Sequence, residues 1–92
     1  MKVRYTAQAV LDLEVLARYA RENLSESAVR VLGVAIQEAA RRLQEFPALG
    51  SQGRVPGTSE LVLTRINIVV TYQVERDTVA ILSVLRAEKD RP

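Results

Sequence analysis

The sequence contains no cysteine and no histidine. Without cysteine the chain can form neither a disulfide nor a thiol nucleophile, and without histidine it lacks the commonest acid–base group near neutral pH. Both residue types are also the usual ligands of zinc. We therefore expect no metal and no cofactor, so any chemistry must come from Arg, Lys, Tyr, Ser or carboxylates.

Long apolar runs are missing as well. No stretch approaches the roughly 18 consecutive apolar residues that indicate a membrane-spanning helix, and no apolar signal segment follows Met1. These patterns predict a soluble, cytoplasmic protein without a membrane partner. A length of 92 residues is typical of one domain, which we place over residues 1–92.

An excess of charge of one sign is also absent, although the isoelectric point is about 9.4. Thirteen Lys and Arg face eleven Asp and Glu, which leaves a net charge of +2. Residues 1–46 carry 7 basic and 6 acidic side chains, and residues 47–92 carry 6 and 5. Neither half therefore resembles a basic arm for nucleic acid.

The first half of the chain predicts a short strand followed by two helices. Thr6 can cap a helix that runs from Ala7 to about Glu22, because apolar residues recur there with helical spacing. Ser25 can cap a second helix that extends to about Phe46. The link between them is short, so we expect an antiparallel helical hairpin.

The first predicted helix has a second apolar stripe besides the one expected to pack on a sheet. Leu11, Val15 and Tyr19 lie four residues apart, and Val34 likewise falls outside the main stripe of the second helix. Two interpretations are open: contact between the two helices, or a groove for an amphipathic helix of a partner.

The second half predicts a loop and three strands. The segment FPALGSQGRVPGT is rich in glycine and proline, and residues 60–64, 66–74 and 78–85 then follow the period of two typical of strands. The fold class is thus α+β, β-α-α-β-β-β, with a helical hairpin packed on an antiparallel meander and the N-terminal strand beside the last one. In the last strand, alternation places Val79, Ile81 and Leu85 on one face and Ala80, Leu82 and Val84 on the other.

This element order and four strings of residues resemble the RelE/ParE superfamily, the toxins of bacterial type II toxin–antitoxin pairs, which include plasmid-stabilisation toxins. The string VRYTAQAVLDLEVLARYARE is similar to the family's opening strand and first helix. LQEFPALGSQGRVPGTSELVL is similar to its central loop, with Phe46-Pro47, Gly53-Arg54 and Pro56-Gly57 as family members commonly have them. VVTYQV and AILSVLRAEKDRP resemble its closing strands, although Arg86 stands where the family often has His.

The resemblance implies a toxin that a cognate antitoxin neutralises in a hetero-oligomer. It favours inhibition of DNA gyrase, as in the ParE branch, which needs a binding surface and no catalytic group; Arg86, Lys89 and Arg91 would then contact the target.

The alternative is RelE-like, ribosome-dependent cleavage of mRNA, so whether the chain is an enzyme stays open. Such a nuclease would depend on cationic side chains, for which the candidates are Arg54, Arg65, Arg86, Lys89 and Arg91. A further alternative is a non-toxic interaction module with the same fold.

For the antitoxin, we expect a segment that is disordered alone and folds across the helical hairpin. The residues predicted to bind it are Leu11, Val15, Tyr19 and Val34.

Overall fold

The structure is a computed structural model, and it describes residues 1–87. It contains two helices and five strands, in the order β1 (Lys2–Tyr5), α1 (Ala7–Asn23), α2 (Glu26–Glu45), β2 (Ser51–Gln52), β3 (Ser59–Leu63), β4 (Ile68–Glu75) and β5 (Thr78–Arg86). The predicted α+β class and helical hairpin are confirmed, with one short strand added. Neither helix is long and apolar enough to cross a membrane.

Both helices begin at the predicted caps. The Thr6 hydroxyl oxygen accepts a hydrogen bond from the Ala9 amide at 3.1 Å, and the Ser25 hydroxyl oxygen accepts one from the Ala28 amide at 3.1 Å. Each bond satisfies an amide that has no partner within the first turn of its helix. Pro47 follows closely after α2, where a helix cannot continue.

The five strands form one sheet in the order β1-β5-β4-β3-β2. β1 pairs with β5 in parallel, with Val3 opposite Val79, and the other neighbours are antiparallel. The predicted position of the N-terminal strand is confirmed. β2 was not predicted, because two residues are too few to show a period. β4 begins two residues later than predicted, at Ile68, because Asn67, with a φ of 58°, completes a turn.

β5 contains a bulge that the sequence pattern did not reveal. Thr71 of β4 lies opposite Ser83, whereas Tyr72 lies opposite Ile81, so Leu82 is an extra residue in β5. Successive side chains point to opposite faces of a sheet, and one extra residue therefore reverses the pattern beyond it. The predicted faces are correct for Ile81.

Beyond the bulge, the faces predicted for Val84 and Leu85 are wrong. Val84 is buried on the face that the helices cover, and Leu85 is exposed on the opposite face.

Both helices lie on one face of the sheet, which we call the helix face; the other is the open face. The core lies between the helices and the helix face, where apolar side chains of both layers are buried together. Its buried members are Ala9, Leu16, Ile36, Ala39, Leu43, Leu61, Ile68, Val70, Tyr72, Val79, Ile81 and Val84.

Tyr72 ties the loop after α2 to this core. Its hydroxyl donates a hydrogen bond to the Pro47 carbonyl at 2.8 Å and accepts one from the Gly50 amide at 2.8 Å. Gly50 has no room for a side chain, because a Cβ atom would lie 2.6 Å from the Glu60 carbonyl oxygen and 2.8 Å from the Tyr72 hydroxyl. The loop's path is thus fixed by a close approach of backbone to side chain.

Candidate functional site

An apolar groove of about 360 Å³ opens between the end of α1, the start of α2 and the sheet. It forms because both helices meet there at their short link, where the helix face offers the beginning of β4 and the end of β5. We call it the apolar groove; its lining residues are Leu16, Tyr19, Ala20, Leu24, Ala28, Val31, Leu32, Arg65, Ile66, Ile68 and Arg86.

Several apolar side chains of this groove are open to solvent. Leu24 is 67% exposed and Val31 is 55% exposed, and Tyr19 is also exposed. Single exposed apolar residues are ordinary on protein surfaces, but a contiguous group beside a concave surface is typical of an interaction site. The groove therefore has the character of a protein-binding surface.

Two arginines add positive charge to the apolar groove. The Arg86 guanidinium carbon lies 4.1 Å from the centroid of the Tyr19 ring, a cation–π contact. Within residues 1–87, neither Arg65 nor Arg86 forms an ion pair with a carboxylate. Apolar walls combined with two arginines that pair with no carboxylate in the described part of the chain fit a segment that carries both apolar and acidic side chains.

A second concavity, also of about 360 Å³, lies on the open face, and we call it the open-face pocket. Thr71 and Ser83 pair across β4 and β5, and Thr71 also pairs with Glu60 of β3, so one row of polar side chains crosses three strands. The pocket is lined by Arg54, Val55, Thr58, Glu60, Val69, Thr71, Ser83, Leu85 and Arg86. Its guanidinium and hydroxyl groups can donate hydrogen bonds to a phosphate or carboxylate.

Two residues with shifted pKa values, Tyr5 and Glu38, lie outside both concavities. Burial raises the pKa of Tyr5 on β1, and the hydrogen bond from Arg41 lowers the pKa of Glu38 on the exposed side of α2. Neither residue lines the apolar groove or the open-face pocket. No group of three Asp or Glu side chains among residues 1–87 is arranged to hold a metal ion.

The structure brings together some of the residues predicted from the sequence. Arg65 and Tyr19 line the apolar groove, Arg54 lines the open-face pocket, and Arg86 lines both. Lys89 and Arg91 lie outside the described residues.

The remaining predicted residues are exposed but not part of the groove. Leu11 and Val15 lie on α1 and Val34 lies on α2, and all three are open to solvent. They are not among the residues that line the apolar groove. The interpretation of this stripe as helix-to-helix packing is therefore not supported, and its exposure leaves the docking interpretation as a prediction.

Two exposed members of the groove, Leu24 and Val31, were not among the residues predicted to bind the antitoxin. Leu24 lies between the two predicted helices, and Val31, like Val34, falls outside the main apolar stripe of the second helix. Their shared signal was an apolar side chain at a position where helical spacing gave it no core partner. Their proximity depends on the hairpin, which brings the end of α1 beside the start of α2.

Comparison with known proteins places the chain among toxins. Residues 3–91 match the family described as "ParE toxin of type II toxin-antitoxin system, parDE". A Sinorhizobium fredii protein named "Putative toxin Y4kP" is 35% identical over 91 residues, covering 99% of this chain and 93% of that protein.

Solved structures share the fold. The chromosomal ParDE system of P. aeruginosa superposes with a TM-score of 0.83 at 23% identity, covering 96% of this chain and 97% of that chain. The intact E. coli RelBE toxin–antitoxin complex gives a TM-score of 0.64 at 16% identity, with 96% and 98% covered.

Proposed function

The chain belongs to the ParE toxin family of type II toxin–antitoxin systems, and from that premise we propose that it arrests bacterial growth unless a cognate antitoxin covers it. The observation that carries the proposal is the apolar groove, with exposed apolar walls and two arginines that lack carboxylate partners among residues 1–87. A free toxin needs such a surface for its antidote.

The antitoxin segment that fits this surface combines apolar and acidic side chains. Its apolar residues fill the groove beside Leu24 and Val31, and its carboxylates pair with Arg65 and Arg86. A segment that is disordered alone and folds on binding suits this role, since it gains its order from the toxin. The E. coli RelBE structure, described as an intact toxin–antitoxin complex, supports a hetero-oligomer of toxin and antitoxin.

The same segment extends from the groove along the hairpin. Tyr19 lines the groove, and from it an exposed apolar stripe extends along α1 through Val15 to Leu11 at intervals of four residues. Val34 adds an exposed apolar side chain on α2. We place Leu11, Val15 and Val34 in the outer part of the antitoxin interface, with the groove, including Tyr19, as its centre.

Charge reversal of the walls tests this interface. Replacing Leu24 and Val31 together by Asp is expected to weaken binding of the cognate antitoxin about a hundredfold or more, because two buried apolar contacts become desolvated charges. Val55→Asp, at an exposed valine of the open-face pocket, is the matched control and should leave affinity unchanged. Isothermal titration calorimetry measures the affinity of both variants for the antitoxin, and circular dichroism checks that each is folded.

A second pair of substitutions tests the outer part. Leu11→Asp with Val15→Asp is expected to weaken the complex as well. Unchanged affinity in a folded protein would limit the interface to the groove. Unchanged affinity in both double variants would remove the hairpin from the antitoxin interface altogether.

For the cellular target we propose DNA gyrase, bound by the sheet edge that carries Arg86, with Lys89 and Arg91 following it. Membership of the ParE family supports this, and so does the composition: a binding surface needs no histidine. The proposal requires no catalytic group and no cofactor.

One observation favours the second candidate, ribosome-dependent cleavage of mRNA. Arg54 and Arg86 line the same open-face pocket together with Thr71 and Ser83, which could steady a phosphate. In that case Arg54 and Arg86 would stabilise charge in the transition state. Arg65 lines the apolar groove instead, which makes it a weaker catalytic candidate.

Pulse labelling separates the candidates. Bacteria are induced to express this chain without antitoxin, and uptake of labelled thymidine and labelled methionine is followed over the first minutes. Early loss of thymidine uptake supports gyrase inhibition, whereas early loss of methionine uptake supports mRNA cleavage.

Loss of neither label would contradict both candidates and favour a non-toxic interaction module. Arg86→Ala combined with Lys89→Ala is the accompanying variant. It is expected to relieve growth arrest under either mechanism, and full toxicity in this variant would remove the sheet edge from the target surface.

A further inference from the structure

The outer edge of β5 loses its strand neighbour halfway along. β1 ends at Tyr5, opposite Ile81, so the backbone groups of β5 beyond that point face no further strand on this side. Unpaired edges of this kind leave donors and acceptors without partners. Here the N-terminal cap and the first turns of α1 supply the missing hydrogen-bond partners.

Two side chains of this region take the place of the missing strand. The Thr6 hydroxyl donates to the Leu82 carbonyl at 3.2 Å, and the Asp12 carboxylate accepts from the Val84 amide at 3.0 Å. The two bonded groups flank Ser83, the residue next to the extra residue Leu82, so the Leu82 carbonyl and the Val84 amide both have partners on this edge.

Asp12 is unusual for an acidic residue on a helix. It is 8% exposed, and besides the Val84 amide it accepts a hydrogen bond from the Gln8 side chain at 2.9 Å. A buried carboxylate is costly unless it is hydrogen-bonded, and a charged acceptor makes a stronger bond than a neutral one. The Asp12 bond to Val84 therefore fixes the position of β5 firmly.

The bulge determines which side chains each face of the sheet presents. In a strand with regular alternation after Ile81, Arg86 would point to the open face and Ser83 into the core. With the bulge, Val84 enters the core and Arg86 lies opposite Ile68 on the helix face. There its guanidinium stacks on Tyr19.

We infer that Asp12 is a positioning residue: together with Thr6 it holds the bulge of β5 and so places Arg86 in the apolar groove, over the Tyr19 ring. The contribution of Arg86 to antitoxin binding rests on the proposed function. The placement of Arg86 does not, and the two are measured separately.

The first experiment compares Asp12→Ala with Asp12→Asn by NMR. Ala removes the acceptor, so the Val84 amide is expected to exchange about tenfold faster or more, and the nuclear Overhauser contacts between Arg86 and the Tyr19 ring are expected to be lost. Asn retains an oxygen that can accept from the Val84 amide and should restore both signals. Gln8→Ala, which leaves the Asp12 bond to Val84 in place, is the matched control.

A deletion tests whether Asp12 acts through the bulge. Removing Leu82 gives β5 a regular ladder in which Val84 and Arg86 keep the faces that they have in the intact chain. In that background Asp12→Ala should leave the contact between Arg86 and Tyr19 intact. A merely stabilising role of Asp12 would not be relieved by shortening the strand.

Retention of the contact between Arg86 and Tyr19 in Asp12→Ala would overturn the inference, and so would its loss in the deletion variant carrying Asp12→Ala. If Asp12→Ala alone does not fold, folding of the double variant with the contact present supports the inference, and its absence there contradicts it.

Titration with the cognate antitoxin then tests the proposed function separately. An affinity that is unchanged by loss of the contact would remove Arg86 from the antitoxin interface while leaving its placement by Asp12 established.

Discussion

Two tyrosines on the helix side of the sheet lie in opposite surroundings. Tyr72 is fully buried, and its hydroxyl both donates and accepts a hydrogen bond within the protein. Tyr19 is 38% exposed, and its ring lies against the Arg86 guanidinium at the border of the apolar groove. One ring belongs to the core and the other to a surface.

The difference shows how the molecule separates stability from recognition. The Tyr72 hydroxyl has two internal partners, and throughout residues 1–87 no buried side-chain nitrogen or oxygen lacks a hydrogen-bond partner. Around Tyr19, by contrast, apolar side chains are exposed and two guanidiniums lack carboxylate partners among the described residues. Substitutions near Tyr72 should therefore change stability, and those near Tyr19 should change binding.

The largest expected effect on stability belongs to Gly50→Ala, beside Tyr72. Because the new methyl group would collide with the Glu60 carbonyl and the Tyr72 hydroxyl, we expect a loss of about 2–3 kcal/mol in the free energy of unfolding. Urea denaturation measures it. Gly33→Ala is the control: its Cβ meets nothing within 4 Å on α2, so it should gain about 0.5–1 kcal/mol. Equal effects at both glycines would contradict the packing around Gly50.

Tyr72→Phe removes the hydroxyl and keeps the ring. The Pro47 carbonyl and the Gly50 amide lose their partner, which is expected to cost about 1–3 kcal/mol of stability. Tyr5→Phe serves as the control, because the partly exposed Tyr5 hydroxyl makes no hydrogen bond within residues 1–87 and its loss should change stability little. Denaturation curves that coincide for the two variants would show that the Tyr72 hydroxyl does not hold the loop.

Tyr19→Ala sharpens the comparison from the other side. It removes the ring under Arg86, and an exposed cation–π contact contributes about 0.5–1 kcal/mol, so we expect a stability loss of about that size. Tyr19→Phe keeps an aromatic ring and should lose less. Thermal denaturation of both variants measures this, and a loss as large as that of Tyr72→Phe would place Tyr19 in the core and contradict the comparison.

The smallest expected effect belongs to an exposed ion pair on α2, outside both regions. The hydrogen bond from Arg41 lowers the pKa of Glu38 in the folded chain. The pair therefore stabilises the fold at any pH above the pKa that Glu38 has in the unfolded chain, and this stabilisation is lost as the pH falls through the lower pKa of the folded chain. Glu38→Gln should therefore melt slightly below the intact chain at neutral pH. The difference should vanish in acid, and a difference that grew in acid would contradict this assignment.

Much of the fold could be predicted because its determinants are local. Thr6 and Ser25 have the chemistry of helix caps, Pro47 ends a helix, and the alternation of residues 68–74 indicates a strand with one apolar face. The bulge at Leu82 could not be predicted in this way. It depends on contacts from Thr6 and Asp12, which are more than seventy residues away in sequence.

The candidate site was predicted less completely for the same reason. Helical spacing placed Leu11, Val15, Tyr19 and Val34 outside the core stripes, but it could not show the groove, which forms where the hairpin meets the sheet. An Asp on a helix is usually a solvated residue, so nothing local distinguished Asp12 from its exposed neighbour Glu14.

The parallel pairing of β1 with β5 also governs when the chain can fold. Lys2 must find Thr78, and Tyr5 must find Ile81, so the sheet cannot close until almost the whole chain has been synthesised. Contacts between such distant segments slow folding, because a long loop has to be ordered before they form. During translation the first strand therefore waits unpaired, and a nascent chain interrupted before residue 78 cannot assemble the sheet on which both concave surfaces depend.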